Sequence, residues 1–140
     1  MNSRLWKVAH SLYGVGLNPL GRVVEVLYNI VCANGISAKS KIGGTVFYHH
    51  GVGCVVHEKC SIGMNCRIFG NVTIGCRWSG NKQPGDPPTI GNNVMIDAGA
   101  VILGDIHIGD NALVGANAVV LCDVPANTMA VGKPARILKK

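Results

Sequence analysis

An aliphatic residue returns at every sixth position through most of this chain, and that period leaves few architectures open. The clearest run is Ile90, Ile96, Ile102, Ile108, Val114 and Val120. A second is Val56, Ile62, Ile68 and Ile74, and an earlier fragment is Ile36 and Ile42. Several markers are followed by glycine, as in Ile90-Gly91, Ile108-Gly109 and Val114-Gly115. A period of six matches neither a helix nor a half-buried strand. Self-similarity at a fixed period means a solenoid, whose repeats bury their apolar side against neighbouring repeats. The hexapeptide period points to a parallel β-helix in which three hexads form one triangular coil. Each hexad supplies a short flat strand and a tight corner. The marker side chain points inward and stacks on its counterparts in the coils above and below. Gly, Asn and Asp suit the corners, where the backbone needs unusual angles.

The register slips twice. Ile42 to Val56 spans 14 residues, two more than two hexads, and Ile74 to Ile90 spans 16, ten more than one hexad. The second slip is polar and rich in Gly and Pro, so residues 76–89 loop out of the wall. Insertions in solenoids tend to sit on the working face. Residues 36–131, less the inserted ones, make about four to five coils.

Before residue 35 the pattern is helical. Leu5, Trp6, Ala9, Leu12 and Tyr13 recur on one helix face, predicting a helix over 3–13. Asn18-Pro19 reads as an N-cap followed by a first-turn proline. Val23, Val24, Leu27, Ile30 and Val31 continue the apolar face, and Asn34-Gly35 reads as a stop, predicting a second helix over 19–32. The chain thus divides into an N-terminal helical segment, 1–35, and a β-helix domain, 36–140, carrying the loop 76–89. The helices are expected to cover the first coil, because a solenoid end must be capped. Assembly, or docking on a membrane-bound pathway, are the alternatives.

Charged residues make up 14% and hydrophobic ones 48%, which excludes a disordered chain. The net charge is +6, and the last eight residues hold Lys133, Arg136, Lys139 and Lys140. A basic balance suits nucleic acid, an anionic membrane surface or a phosphorylated small molecule. There is no basic stripe interleaved with aromatics, so nucleic acid is not expected. None of the six cysteines forms a C-x-x-C pair. Cys54, Cys60 and Cys66 keep the six-residue spacing and read as small buried fillers in a reducing compartment. No apolar run is long enough for a secretory signal or a membrane span, so the protein is expected in the cytoplasm, without an expected membrane partner.

Three stretches make the reading more specific. Hexads such as Ile90-Gly-Asn-Asn-Val-Met-Ile-Asp-Ala-Gly-Ala-Val-Ile resemble the left-handed β-helix acyltransferases. The ending Asp123-Val-Pro-Ala-Asn-Thr-Met-Ala-Val-Gly-Lys-Pro-Ala-Arg-Ile resembles their closing motif. His49-His-Gly-Val-Gly-Cys-Val-Val-His-Glu is similar to the histidine segment of bacterial serine acetyltransferases. The resemblance covers roughly residues 36–138, and left-handedness rests on it, since ordinary crossovers are right-handed.

It implies an acetyl-CoA-dependent O-acetyltransferase, working as a homotrimer with active sites in the grooves between subunits. His50 aligns with the family's catalytic histidine, the base that removes the proton as a hydroxyl attacks the thioester. Ala98 and Ala116 match small residues along which the pantetheine arm lies. Arg136 and Lys139, with Lys133 close by, match cations near the CoA phosphates. His49, His57, Trp78 and Asp86 are the expected acceptor contacts, with Arg77 beside them in the loop.

Three departures from the family pattern bear on the acceptor. The family pairs its histidine with an aspartate where this chain has Gly35. The aspartate just before the catalytic histidine, which helps hold the serine amino group, is His49 here. The loop histidine of the family is also missing, the matching stretch being Asp86-Pro87-Pro88. Loss of these carboxylates removes natural partners of an ammonium group. The expected acceptor is therefore a sugar hydroxyl, as in the small enzymes of capsule and exopolysaccharide synthesis. The alternatives are serine, for cysteine biosynthesis, and a non-catalytic β-helix scaffold. A zinc site of the γ-carbonic anhydrase kind, drawn from His50, His57 and His107, has the wrong spacing, so no metal is expected.

Overall fold

The computed structural model of the chain describes residues 4–43, 47–48, 52–78 and 85–139. Two helices come first, α1 (Arg4–Gly14) and α2 (Asn18–Cys32). A Cβ added at Gly21 would stand 3.3 Å from the Ala9 carbonyl and 3.3 Å from the Tyr13 ring, so glycine lets the two helices approach closely here. Pro19 lies in the first turn as expected, but the cap position is Leu17, with no side-chain cap bond, and Asn18 is already helical. The helix stops at Ala33, in left-handed conformation (φ 49°, ψ 44°), one residue before the expected Asn34-Gly35 signal.

The face by which α2 packs also differs from the expectation. Gly21 and Tyr28 are buried and Val24 and Glu25 half-buried, whereas Val23, Leu27, Ile30 and Val31 are exposed. The cause is Glu25. Its carboxylate accepts hydrogen bonds from the Tyr13 hydroxyl (2.7 Å) and the Ala38 N–H (3.0 Å), which fixes the Glu25 side of α2 against the first coil. Ala9 and Tyr28 join the same buried cluster as Ile36 and Ala38, so the helices cover the end of the solenoid.

The solenoid follows in coils. The first holds β1 (Gly35–Ile36), β2 (Lys41–Ile42) and β3 (Phe47–Tyr48). The second holds β4 (Val55–Val56), β5 (Ser61–Ile62) and β6 (Arg67–Ile68). The third holds β7 (Thr73–Gly75), then the insertion, β8 (Thr89–Ile90) and β9 (Met95–Ile96). The fourth holds β10 (Val101–Leu103), β11 (His107–Ile108) and β12 (Leu113–Val114). A last, partial coil holds β13 (Val119–Val120) and β14 (Thr128–Val131), and β15 (Arg136–Lys139) folds back antiparallel on β14.

From β1 to β13 every third strand pairs in parallel, giving three walls, the last of which β14 and β15 complete. Sheet A is β1-β4-β7-β10-β13, sheet B is β2-β5-β8-β11, and sheet C is β3-β6-β9-β12-β14-β15. The markers line up in register. Ile36, Val56, Ile74, Ile102 and Val120 stack inside sheet A, Ile62, Ile90 and Ile108 inside sheet B, and Ile68, Ile96 and Val114 inside sheet C. All of them are buried, each contributing roughly 1.5–3 kcal/mol by the general value for burying an aliphatic side chain. Cys54, Cys60 and Cys66 fill the gaps between columns, as their spacing predicts. Burial pushes all three thiols up, Cys60 to about 12, so they stay neutral fillers.

The slips in the period now have places. Gly35 pairs with Val55, 20 residues on instead of 18, so the two extra residues sit between β3 and β4. The ten-residue excess sits between β7 and β8. A third slip was not expected. Ile108 bridges to Val124 and Val114 pairs with Ala130, each 16 residues on, so the last coil is two residues short.

Candidate functional site

The three walls meet at three edges, and two of them carry the residues expected to act. The edge leading from sheet C to sheet A is regular. Its left-handed residues recur coil after coil at Ala33 (φ 49°), Gly53 (75°), Asn71 (58°), Gly99 (73°) and Asn117 (54°). Backbone bonds run up it, from Gly53 N–H to Ala33 O (2.9 Å), Asn71 N–H to Val52 O (2.9 Å), Gly99 N–H to Gly70 O (3.0 Å) and Asn117 N–H to Ala98 O (2.9 Å). A Cβ at Gly99 would collide with Asn117 Oδ1, so glycine is required next to Ala98.

Ala98 and Ala116 stand exposed on this edge, their methyls the only side-chain atoms they offer. The edge is therefore a shallow track of backbone and methyl groups. Above it Gly132 (φ 99°) turns the chain, Lys133 stands exposed, and the Ala135 N–H ties the turn back to the Val119 carbonyl (2.8 Å). Arg136 and Lys139 follow on the fully exposed β15. The structure thus brings Ala98, Ala116 and Lys133 to one edge, with Arg136 and Lys139 on the strand that leaves it. His49 and His50 belong in sequence to the β3–β4 corner of the same edge, but they lie outside the described residues.

The edge from sheet A to sheet B is irregular. It carries His57, the insertion and the turn after β10. His57 is half-buried, its Nδ1 accepts the Lys59 N–H (3.2 Å) and its carbonyl accepts the Cys60 N–H (3.0 Å), so it shapes the turn it sits in. Trp78 is 71% exposed at the start of the insertion and Asp86 is exposed at its end. At the base of the insertion lies a cleft of about 440 Å³ lined by Arg77, Gly85, Leu103, Gly104, Asp105, Ile106 and Leu121. Asp105 is the residue that sequence reasoning missed. It follows β10 on the same edge where the insertion follows β7, and that correspondence was the available signal.

Among the described residues the two groups stand on opposite sides of sheet A. The outer side of sheet A, with Val55, Thr73, Val101 and Val119, lies between the two edges. Among the described residues no three His, Cys, Asp or Glu side chains gather where they could hold a metal ion. His57 stands on the A–B edge, and His107 lies in β11 with its N–H bonded to Asp123 (2.8 Å). No helix of the described residues is long and apolar enough to cross a membrane.

Residues 87–122 match the family described as bacterial transferase hexapeptide (six repeats). The chain is 40% identical over 133 residues to a serine acetyltransferase of Staphylococcus epidermidis, covering 95% of this chain and 62% of that protein. It therefore spans about three fifths of the length of this curated relative. Its fold superposes on soybean serine acetyltransferase complexed with serine at a TM-score of 0.88, with 42% identity over 96% of this chain and 54% of that one. A serine acetyltransferase in complex with CoA gives a TM-score of 0.85, with 34% identity over 96% of this chain and 54% of that one.

These similarities correct the acceptor expectation. The missing carboxylates at Gly35 and His49 pointed to a sugar hydroxyl in capsule or exopolysaccharide synthesis, whereas the relatives are serine acetyltransferases. Asp105, which shares the A–B cleft with Arg77, supplies a carboxylate from another coil. The chain is thus a left-handed β-helix that carries the bacterial transferase hexapeptide repeat over residues 87–122 and is similar over nearly its whole length to serine acetyltransferases.

Proposed function

We propose that the chain transfers the acetyl group of acetyl-CoA to the hydroxyl of L-serine. The observation that carries this reading is the match over nearly the whole chain to serine acetyltransferases, including structures complexed with serine and with CoA. A serine hydroxyl is a poor nucleophile at neutral pH. His50 takes its proton as the oxygen attacks the thioester carbonyl, and the tetrahedral intermediate collapses by expelling the CoA thiolate. The C–A edge suits the donor. An extended pantetheine arm can lie against backbone at Ala98 and Ala116, with Lys133, Arg136 and Lys139 placed for phosphates. The A–B cleft suits the acceptor, because Arg77 and Asp105 offer one partner each to the carboxylate and the ammonium of an amino acid.

Donor and acceptor edges on opposite sides of sheet A support a homotrimer, in which the A–B edge of one copy faces the C–A edge of the next. His57, Trp78 and Asp86 then border the acceptor, and His49 adjoins the base. The neutral buried thiols fit a cytoplasmic enzyme.

Thiol release from acetyl-CoA should appear with L-serine. In Asp105→Asn the KM for serine should rise about tenfold while the KM for acetyl-CoA stays put, as expected from losing one charge-assisted hydrogen bond. No thiol release with L-serine would overturn the acceptor, and an unchanged KM for serine would remove Asp105 from the site.

A further inference from the structure

The function proposed above leaves one large feature unused, the outer face of α2. Leu20, Val23, Val26, Leu27, Ile30 and Val31 are all between 47% and 76% exposed. Their spacing of three and four residues makes a continuous apolar stripe along the helix. Monomeric surfaces rarely carry a contiguous apolar patch of this size without a binding role. The helix exposes the stripe because its other face, through Glu25 and Tyr28, is committed to the first coil and α1.

Charge says what covers it. Arg22 lies in the groove that runs along the stripe, beside Pro19, Val23, Val26 and Leu27. Lys7, Lys39 and Lys41 are exposed at the same end of the solenoid. Glu25 is the one acid among residues 1–57, and it is turned inward. The nearest exposed acid, Glu58, faces Lys39 at 3.9 Å. The other six acids of the chain all come later in sequence. The helical end is therefore apolar and, apart from Glu58 beside Lys39, cationic, while the remaining acids lie further along the solenoid. Pairing two copies through this stripe would add the positive charge of two helical ends, with no exposed acid among residues 1–57 to offset it. A surface that is apolar inside and anionic outside fits both properties.

We infer that the outer face of α2 docks the protein on an anionic lipid surface. The stripe seats in the boundary between headgroups and acyl chains, and Arg22 meets the headgroups. The contact is peripheral, since neither helix is long enough to cross a bilayer.

The test is co-sedimentation of the full chain with vesicles of phosphatidylcholine containing phosphatidylglycerol, against vesicles of phosphatidylcholine alone. The wild-type chain should partition into the anionic vesicles, and binding should fall as salt is raised. The double variant Leu27→Glu with Ile30→Glu should lose roughly tenfold or more in partition coefficient. Both side chains point to solvent, so its circular dichroism and melting midpoint should match the wild type. Arg22→Glu, which leaves the stripe intact, should weaken binding to the anionic vesicles several-fold. A wild-type chain that stays in the supernatant with both vesicles would overturn the inference. So would equal binding by the double variant. A wild-type assembly that ignores vesicles but falls to a smaller mass in the double variant, by light scattering, would assign the stripe to a second copy instead.

Discussion

The C–A edge and the A–B edge are made from the same hexads, yet they differ in kind. Along the C–A edge a left-handed residue recurs in every coil, and the backbone repeats itself from Ala33 to Asn117. Along the A–B edge the repeat is interrupted by the insertion and bordered by a cleft with a cation and an anion in its lining. A periodic edge offers the same backbone groups at a regular rise, which suits an extended ligand such as a pantetheine arm. An interrupted edge offers a concave site with a few placed charges, which suits a compact polar ligand. In the proposed function the two recognition tasks fall on different edges, the extended donor on the regular one and the compact acceptor on the irregular one. His50, the proposed base, belongs in sequence to the corner where the regular edge has two extra residues.

The largest expected effect removes the chemistry and leaves both edges standing. His50→Ala should lower kcat by about 10²–10⁴, the usual contribution of a positioned general base. Binding of acetyl-CoA, followed by calorimetry, should be unchanged. Turnover retained in this variant would move the base to another group, and loss of acetyl-CoA binding would mean that His50 builds the donor edge.

A smaller effect tests the donor edge by itself. Ala116→Phe puts a bulky side chain on the track at an exposed position, so the fold should tolerate it. The KM for acetyl-CoA should rise by about tenfold or more, with the KM for serine little changed. Ala126→Phe is the control, because Ala126 is equally exposed but lies between sheets B and C. If both variants bind acetyl-CoA alike, the track is not where the donor lies.

Much of this contrast was legible in the period. The aliphatic markers gave the three inward columns, and the 16-residue gap gave the insertion after β7. The spacing of Cys54, Cys60 and Cys66 gave their place as fillers. Other features depend on what spacing does not record. The slip between Ile42 and Val56 could have fallen at either of two corners, and only strand pairing puts it after β3. The short last coil escaped because Val124 and Ala130 resume the columns out of frame. In α2 the apolar residues outnumber what one face can bury, and a single half-buried carboxylate, Glu25, decides which side turns inward. At the site, Gly35 and His49 stand out in the sequence as missing carboxylates, whereas the relation of Asp105 to Arg77 exists only across coils and leaves no mark in the spacing.

The smallest effect concerns Gly35, where the regular edge lacks the carboxylate that the resemblance pairs with the catalytic histidine. Gly35 lies in β1 and its backbone is not left-handed. A Cβ built there meets only the Val55 side chain, at 3.5 Å and beyond, which is ordinary contact. Gly35→Asp should therefore fold without strain. A carboxylate beside the base would accept its Nδ1–H, fix the tautomer that leaves Nε2 free, and stabilise the imidazolium that forms as the serine proton arrives. All three act on the transition state more than on bound substrate, so kcat should rise, by about threefold to tenfold, while both KM values hold. A gain confined to KM would place the new carboxylate against the serine ammonium instead. An unchanged kcat would mean that another group already orients His50, and the regular edge would then carry a complete catalytic pair of its own.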